Sequence, residues 1–325
     1  MSVFLHENSI RNIGSKNQST RITEFLLLGL TDNSTIQLFL FVFFLVVYLI
    51  TVLGNCLMIT AITLSPSLYS PMYFFLRILS FVDICYTTST VPKLLMDFLS
   101  EVKRISFMGC VAQLYSFISC GGIECIILAV MAGDRYVAIC MPLRYTEIMS
   151  WKLCMLLGSI CWVIGLLNSL THTIFTFRLP FCKSHSINHF FCDIPPLLAL
   201  SCADTTANKI AIYTVGVLVS IGSFLMTLIS YIFIVTTIVK IKTMSGRLKA
   251  FSTCASHLTV VILYFGTIAF TYIRPISKYS LDQGRVAPVL YGIMTPMLNP
   301  VIYSFRNKEV QGSIQKIFRK NFGIC

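Results

Sequence analysis

The sequence predicts an all-α membrane protein, a bundle of seven transmembrane helices followed by an amphipathic helix at the membrane surface. Of its 325 residues, 56% are hydrophobic and only 12% are charged, whereas soluble domains usually carry about 25% charged residues. A bilayer-spanning helix needs about 20 mostly apolar residues. Seven stretches are long enough: 36–64, 72–97, 107–135, 153–175, 208–239, 250–273 and 285–305.

The loops between these stretches are short and leave no room for a separate soluble domain. We therefore divide the chain into an N-terminal segment (1–35), a transmembrane domain (36–305) and a tail (306–325). Apolar residues recur in the tail at helical spacing with basic residues between them, the pattern of a helix lying on a membrane. The apolar positions are Val310, Ile314, Ile317, Phe318 and Phe322.

The formal net charge of +12 does not indicate nucleic-acid binding, because the basic residues lie in loops. There they would attract anionic lipid and a cytoplasmic partner. Lys and Arg divide almost evenly between the two sides of the predicted bundle, so the positive-inside rule leaves the orientation open.

Sequons and cysteines decide the predicted orientation. Potential glycosylation sites at Asn17 and Asn33 precede the first span. Four cysteines fall on that same side, and disulfides need an oxidising compartment; they are Cys110, Cys182, Cys192 and Cys202. We expect a plasma-membrane protein with its N-terminus outside, and residues 1–35 show no cleavable signal peptide.

Polar residues mark most of the spans. The first span carries Asn55. The second opens with Pro71, which suits a first helical turn, and contains Asp83. The third has Glu124 in its middle and Asp134-Arg135-Tyr136 at its inner end.

The second half of the chain continues this pattern. The fourth span is apolar, and the long loop after it is of a length that is usually functional. The fifth span ends at Tyr231, the sixth is entered through Lys249 and holds His257, and the seventh carries PMLNP (296–300) and ends at Tyr303.

Seven motifs occur in order on these spans and loops. They are LGLT (28–31), PMYFFL (71–76), MAGDRYVAIC (131–140), INHFFCD (187–193), SY (230–231), KAFSTCASHLTVV (249–261) and PMLNPVIYSFRNKEV (296–310). With these motifs the chain resembles the odorant receptors, a branch of the rhodopsin-like G-protein-coupled receptors. The resemblance covers nearly the whole chain.

The resemblance implies two disulfides, Cys110–Cys192 and Cys182–Cys202. An alternative is a metal site built from His185, His189, Cys192 and Asp193, but a bridged cysteine is not a thiolate ligand. The other nine cysteines are expected to be small apolar packing residues.

The resemblance also implies an activation site at the inner end of the bundle. Arg135 would meet a G protein when the sixth helix moves outward; the alternative is an interfacial arginine that extends to lipid headgroups. Tyr231 and Tyr303 would brace the open state. The full set is Asp134, Arg135, Tyr136, Tyr231, Lys249, His257, Asn299, Pro300 and Tyr303.

Asp83 and Glu124 lie at mid-membrane depth, where a carboxylate costs about 2.5–3.5 kcal/mol on insertion scales and usually marks function. The matching positions hold sodium in related receptors; the alternative is that one or both are protonated and hydrogen-bonded. We expect no cofactor apart from such an ion.

The resemblance places a ligand pocket between the outer halves of the third, fifth, sixth and seventh helices. Its residues describe a small apolar cavity with Tyr272 and Thr295 as hydrogen-bonding groups; each alone also fits plain helix packing. They are Phe117, Ile118, Gly121, Gly122, Val215, Val219, Phe265, Ile268, Ala269, Tyr272, Gly292 and Thr295. Phe117 replaces the Asp of amine receptors, and the seventh span has no Lys for a retinal Schiff base.

Three departures from the family pattern are visible. Gly133 replaces the usual Tyr before Asp134, and a helical glycine costs about 1 kcal/mol relative to alanine. Tyr264-Phe265 reverses the usual order and puts Phe265, with no hydroxyl, at the expected pocket floor. Pro288 makes the outer end of the seventh helix hard to predict.

We interpret the chain as an odorant receptor for small, volatile, mostly apolar molecules, and the resemblance implies coupling to a stimulatory-type G protein that raises cyclic AMP. A chemoreceptor of the same fold for a small metabolite is the alternative. A transporter is disfavoured because the halves show no internal repeat, and an enzyme because no HExxH, phosphate-binding glycine loop or nucleophile elbow occurs.

Overall fold

The computed structural model describes residues 23–182, 184–272, 286 and 288–322. These residues form the seven-helix bundle and the surface helix that the sequence predicts. The helices are α1 (Ser34–Leu64), α2 (Pro71–Phe98), α3 (Phe107–Cys140), α4 (Trp151–Phe177), α5 (Thr206–Lys240), α6 (Met244–Tyr272), α7 (Thr295–Arg306) and α8 (Lys308–Phe322).

Helices α1 to α5 are each long and apolar enough to cross a membrane. In α6, the segments Met244–Ser252 and Cys254–Ile268 meet that condition together across a 47° bend. A π-helical turn at Leu290–Met294 leads into α7. Of the segment before this turn, Val286, Pro288 and Val289 are among the described residues, and all three are helical.

Two helices extend further than hydropathy predicts at the end of the bundle near Arg135, which is called the inner end; the opposite end is called the outer end. Helix α3 continues five residues past 135, so Arg135 lies inside it rather than at its end, and Gly133 does not interrupt it. Helix α6 begins six residues before 250. The predicted spans stop at charged residues, Asp134-Arg135 in α3 and Lys249 in α6, but backbone hydrogen bonds continue past these residues, so hydropathy underestimates helix length.

Polar side chains fix several helix starts. Asn33 caps α1 by accepting hydrogen bonds from the backbone N–H groups of Thr35 and Ile36. Ser106 and Ser150 cap α3 and α4 in the same way. Pro71 occupies the first turn of α2, where its missing N–H costs nothing.

Helix α3 is the central helix and packs against α2, α4, α5 and α6. The outward faces of α1 and α5 are apolar and exposed: Phe39 is 73% exposed and Leu218 is 72% exposed. Exposed residues of this kind on a long helix suit contact with lipid.

A three-stranded sheet covers the outer side of the bundle. Strand β1 (Glu24–Leu27) pairs antiparallel with β2 (Arg104–Ser106) and parallel with β3 (Ser186–Ile187). Phe25 in β1 is fully buried, with its ring 5.6 Å from that of Phe181. The end of the N-terminal segment is therefore part of the folded outer layer.

Helix α8 has the amphipathic character that the tail sequence predicts. Val310 is fully buried, whereas Lys316 and Arg319 are exposed. The Tyr73 hydroxyl on α2 donates to Oε2 of Glu309 and accepts from Nδ2 of Asn307, both at 2.8 Å. The PMYFFL motif thus anchors the start of the surface helix.

Candidate functional site

A polar network at the middle of the bundle joins α1, α2 and α7. The Asn299 side-chain amide donates to both carboxylate oxygens of Asp83, at 2.9 and 3.1 Å. Asn55 donates to the backbone carbonyl of Pro296 at 3.2 Å. Pro300 packs on Gly54, where an added Cβ would lie 3.0 Å from its ring. Close helix approach therefore brings these side chains together.

Glu124 faces this network from α3. It is fully buried, and neither carboxylate oxygen has a hydrogen-bond partner in the described part of the chain. Asp83 is near enough to repel it electrostatically. The side-chain carbonyls of Asn55 and Asn299 are buried and unpaired there as well. Unpaired buried oxygens are costly, and oxygen ligands suit hard cations, so this set fits a sodium ion.

A buried ion pair between neighbouring residues lies in the inner part of α3, five residues before its end. The Arg135 guanidinium donates to Oδ2 of Asp134 at 2.5 and 3.0 Å. The Tyr145 hydroxyl, from the short segment between α3 and α4, donates to the other oxygen of Asp134 at 2.7 Å. Burial, and then the charge of Asp134, raise the pKa of Tyr145, so the hydroxyl stays protonated and keeps donating. No sequence signal singled out Tyr145.

His257 on α6 links α3 to α5. Its Nε2 lies 3.1 Å from the carbonyl of Leu128, which only accepts, so Nε2 carries the proton. Its Nδ1 then accepts from the Tyr231 hydroxyl at 2.7 Å. Two hydrogen bonds therefore hold the inner half of α6 against its neighbours.

The remaining residues expected at the activation site are dispersed. The Tyr136 ring packs 5.7 Å from that of Phe233. The Tyr303 hydroxyl is buried without a partner in the described region. Lys249 lies on α6, but its side chain is outside the described set.

An aromatic cluster surrounds Phe117 in the outer half of the bundle. The Phe117 ring centroid lies 4.9 Å from that of Tyr86 on α2 and 4.6 Å from that of Phe191 in the outer loop. The ring of Tyr291, in the π-helical turn before α7, is 6.2 Å away. Sequence reasoning singled out Phe117 but missed the three rings around it, which lie on other elements.

Two of the predicted pocket glycines border this cluster. A Cβ on Gly121 would lie 2.9 Å from the Tyr86 hydroxyl, and one on Gly292 would lie 3.0 Å from the Phe117 ring. Neither position has room for a side chain unless an aromatic ring moves. Gly121 and Gly292 therefore set how closely the rings approach α3 and α7.

Gly122 lies on a different face of α3 from Gly121. A Cβ there would meet Nδ2 of Asn168 and the backbone of Gly165, both at 3.5 Å. Both contacts belong to α4, because one residue turns the direction of a helical side chain by about 100°. The structure thus separates Gly122 from the expected pocket set.

Tyr264 and Phe265 have different neighbours. The Tyr264 hydroxyl donates to the backbone carbonyl of Gly121 at 2.7 Å, so a hydroxyl does lie beside the aromatic cluster. Phe265 instead packs against Phe224 of α5, with ring centroids 5.5 Å apart. Both rings are buried, but against different neighbours, and hydropathy alone does not distinguish the two arrangements.

The other residues expected in the pocket have different surroundings. Ile118 packs in the outer cluster with Cys110 and Leu114, and Ile268 packs on the main core. Thr295 donates within its own helix, to the carbonyl of Leu290 at 3.2 Å, and so keeps only acceptor capacity. Val215 and Val219 lie half-buried on α5, and the side chains of Ala269 and Tyr272 are outside the described set.

Disulfides hold the outer loop over the bundle. The structure joins Cys110 to Cys192 and Cys182 to Cys202, with Cα separations of 5.5 and 5.9 Å. These are the pairs that the resemblance implies, and they exclude Cys192 as a metal ligand. The Gln113 side chain also accepts from the backbone N–H of Cys192 at 2.9 Å.

Asp193 follows the second half of this bridge and caps the short helix Ile194–Ala199. Burial raises the pKa of its carboxyl to about 6, although the hydrogen bond from the Ile194 N–H acts in the opposite direction. In the described residues, no group of three or more His, Cys, Asp or Glu side chains is arranged to hold a metal.

Comparison with known proteins identifies the family. The olfactory receptor family model matches residues 44–321. The chain belongs to the olfactory receptor family. Human olfactory receptor 5G3 is 52% identical over 310 residues, which cover 95% of this chain and 98% of that receptor. Mouse olfactory receptor 5AP2 is 49% identical, over 94% of this chain and 96% of its own.

Squid rhodopsin shares the fold of this olfactory receptor, with a TM-score of 0.67 over 90% of this chain and 86% of its own, at 16% identity. The protein is therefore a multi-pass membrane receptor of the G-protein-coupled type and not an enzyme. Its partners are a small-molecule ligand and a G protein.

Proposed function

We propose that this olfactory receptor binds small, volatile, mostly apolar molecules beside the Phe117 cluster and activates a stimulatory-type G protein, which raises cyclic AMP. The observation that carries the ligand class is the wall of aromatic rings around Phe117, with the Tyr264 hydroxyl at its side. Apolar sites with few convergent polar groups are typical of small-molecule binding.

The residues of α3 beside the Phe117 cluster offer no counter-ion to a charged ligand. Phe117 offers no counter-ion, and the nearest buried carboxylate on α3, Glu124, lies about one turn below Gly121. A cation placed between aromatic rings without a carboxylate loses its hydration, which costs more than neutral burial. An alcohol, ketone or ester would lose little hydration free energy on entering the site and could form a hydrogen bond with the Tyr264 hydroxyl.

Helix α6 connects the ligand level to the inner side. Tyr264 and His257 are seven residues apart, about two turns, and so share one face of the helix. A ligand that alters the Tyr264–Gly121 contact also acts on the His257–Leu128 contact beneath it. The ligand shifts the equilibrium between the inactive and the active receptor only by the difference in its affinity for these two states.

We further propose that Asp83 and Glu124 hold a sodium ion together with Asn299. The ion would supply the positive charge that two neighbouring buried carboxylates lack. The unpaired oxygens of Glu124 and Asn299 support this assignment.

The proposed orientation puts the N-terminus outside the plasma membrane. The two disulfides beside the β1–β2–β3 sheet support it, because they need an oxidising compartment. Asn33 is exposed at the start of α1, so its side-chain nitrogen is accessible for glycosylation. Asn17 lies outside the described residues.

A cyclic AMP reporter assay in cells tests this function. The full chain is expressed at the surface and exposed to a panel of volatile alcohols, esters and alkanes, with Arg135→Ala at matched surface level as the uncoupled control. We expect responses to part of the panel in the wild type and none in the variant. Responses only to charged amines, or full signalling by Arg135→Ala, would contradict the proposal.

A further inference from the structure

A groove of about 310 Å³ lies on the lipid-facing surface where α1, α2 and α4 meet. Its lining residues are Ile59 of α1, Arg77, Ile78 and Phe81 of α2, and Trp162 of α4. Phe81 is 50% exposed, and its ring lies 6.1 Å from that of Trp162. The groove is therefore an apolar channel, open to lipid, with one charged side chain in its wall.

The groove lies within one half of the membrane. Arg77 follows the first residue of α2 by six positions, which corresponds to about 9 Å along the helix. Phe81 and Trp162 lie ten and eleven positions into their helices, or about 15–17 Å. The hydrocarbon core is about 30 Å thick, so the groove spans a single leaflet, the cytoplasmic one in the orientation proposed above.

Arg77 has no counter-ion in the described part of the structure. Its guanidinium lies 5.8 Å above the Phe74 ring, and none of the ion pairs there includes it. By contrast, Arg135 in α3 is paired with Asp134. An unpaired cation at this depth is costly, so its persistence points to a partner outside the protein.

The walls around Arg77 are rigid. Phe74 is held edge-to-face by Trp151, with ring centroids 6.0 Å apart. A Cβ on Gly158 of α4 would lie 3.1 Å from Ile78 and 3.4 Å from Phe74, so α2 and α4 are in close contact below the groove. The guanidinium and the apolar channel are thus preorganised relative to each other.

We propose that this groove is a binding site for an anionic phospholipid of the cytoplasmic leaflet. The phosphodiester would accept hydrogen bonds from the Arg77 guanidinium, whose planar set of N–H donors matches a phosphate. One acyl chain would lie along Ile59, Phe81 and Trp162.

Charge complementarity favours this occupant over others. Charge-assisted hydrogen bonds are roughly twice as strong as neutral ones, and anionic lipids are concentrated in the cytoplasmic leaflet. A zwitterionic lipid has no net headgroup charge, because its ammonium balances its phosphate, and a sterol offers only a neutral hydroxyl. Neither carries the net negative charge that would compensate Arg77.

Native mass spectrometry of the purified full-length receptor tests the site, with phosphatidylserine and phosphatidylcholine of identical acyl chains as probes. In the wild type, we expect the first phosphatidylserine to bind about tenfold or more tightly than phosphatidylcholine, the size of a hydrogen bond to a charged group. Arg77→Gln should reduce phosphatidylserine affinity to the phosphatidylcholine level. Arg77→Lys should retain part of the preference.

Arg144→Gln is the matched control, since it removes one positive charge from an exposed cytoplasmic position outside the groove; it should leave the preference unchanged. Ile59→Phe fills the channel without touching the charge and should weaken both lipids. Phosphatidylserine affinity that is equal in the wild type and Arg77→Gln would overturn the proposal. Displacement of the lipid by cholesterol with equal potency in both proteins would also overturn it and indicate a sterol groove. This readout involves neither odorant nor G protein, so it is independent of the proposed signalling.

Discussion

Around Phe117, α3 contacts its neighbours mainly through packed aromatic rings, whereas its inner half contacts them mainly through directed hydrogen bonds. At the outer level, Phe117 and Gly121 meet aromatic rings at van der Waals distance. At the inner level, Asp134 accepts from both Arg135 and Tyr145, and the Leu128 carbonyl accepts from His257. The energy of a van der Waals contact changes gradually with side-chain volume, whereas a hydrogen bond is either made or broken.

This difference suits the two tasks of a receptor. A surface of rings and glycines tolerates many small ligands that differ by a carbon or two, because each methylene is worth about 0.8 kcal/mol. A set of directed bonds has two discrete arrangements and so behaves as a switch. The comparison predicts that outer substitutions shift ligand potency and inner ones shift basal signalling.

The largest effect is expected from loss of the Cys110–Cys192 disulfide, which holds the outer loop over the bundle. Cys110→Ser should prevent surface delivery, because loss of a native disulfide costs about 2–5 kcal/mol in small secreted domains. Surface labelling of intact cells measures it, with Cys56→Ser, an exposed unpaired cysteine, as control. Normal delivery and normal response of Cys110→Ser would show that the bridge does not hold the outer layer in place.

Tyr145→Phe should weaken the hydrogen-bonded group that Asp134, Arg135 and Tyr145 form. It removes the hydrogen bond to Asp134, and bonds to charged groups contribute about 1.5–3 kcal/mol. We expect a higher basal cyclic AMP level with little change in ligand potency, since Asp134, the partner of Arg135, is then held by one hydrogen-bonding side chain fewer. Tyr69→Phe, at an exposed position near the same side, is the control. Unchanged basal signalling would place the switch elsewhere.

Gly121→Ala should test shape at the outer level. The added carbon would lie 2.9 Å from the hydroxyl of fully enclosed Tyr86, and overpacking costs about 1–3 kcal/mol. Ligand potency should fall by up to about a hundredfold while basal signalling stays level.

Two glycines control that experiment. Gly266→Ala adds a carbon where nothing lies within 4 Å, and Gly122→Ala makes ordinary contacts with α4. Both variants should leave ligand potency unchanged in a dose–response series. If Gly122→Ala matched Gly121→Ala, the pocket would lie toward α4 instead.

Tyr264→Phe should give the smallest effect. It removes one neutral hydrogen bond, to the Gly121 carbonyl, worth about 0.5–1.5 kcal/mol. Potency should change up to about tenfold for ligands that carry oxygen and less for alkanes, with Tyr213→Phe on the exposed side of α5 as control. An equal loss for alcohols and alkanes would mean that the hydroxyl only supports helix packing.

The sequence by itself determined the seven spans, the surface helix, and the identity of the polar residues within the bundle. Hydrophobic stretches and helical periodicity are local properties, so they can be read without knowing what packs against them. The inner ends of α3 and α6 were underestimated because the predicted spans stop at charged residues, whereas the backbone hydrogen bonds continue past them.

Only the tertiary structure decided which side chains meet. Gly121 and Gly122 are adjacent in sequence, yet a rotation of about 100° puts one against Tyr86 and the other against α4. Tyr264 reaches Gly121 across 143 positions, and Tyr73 reaches Glu309 across 236. Such contacts depend on the rotation and depth of whole helices, which are set by the packing of all seven together and are not encoded in any local pattern.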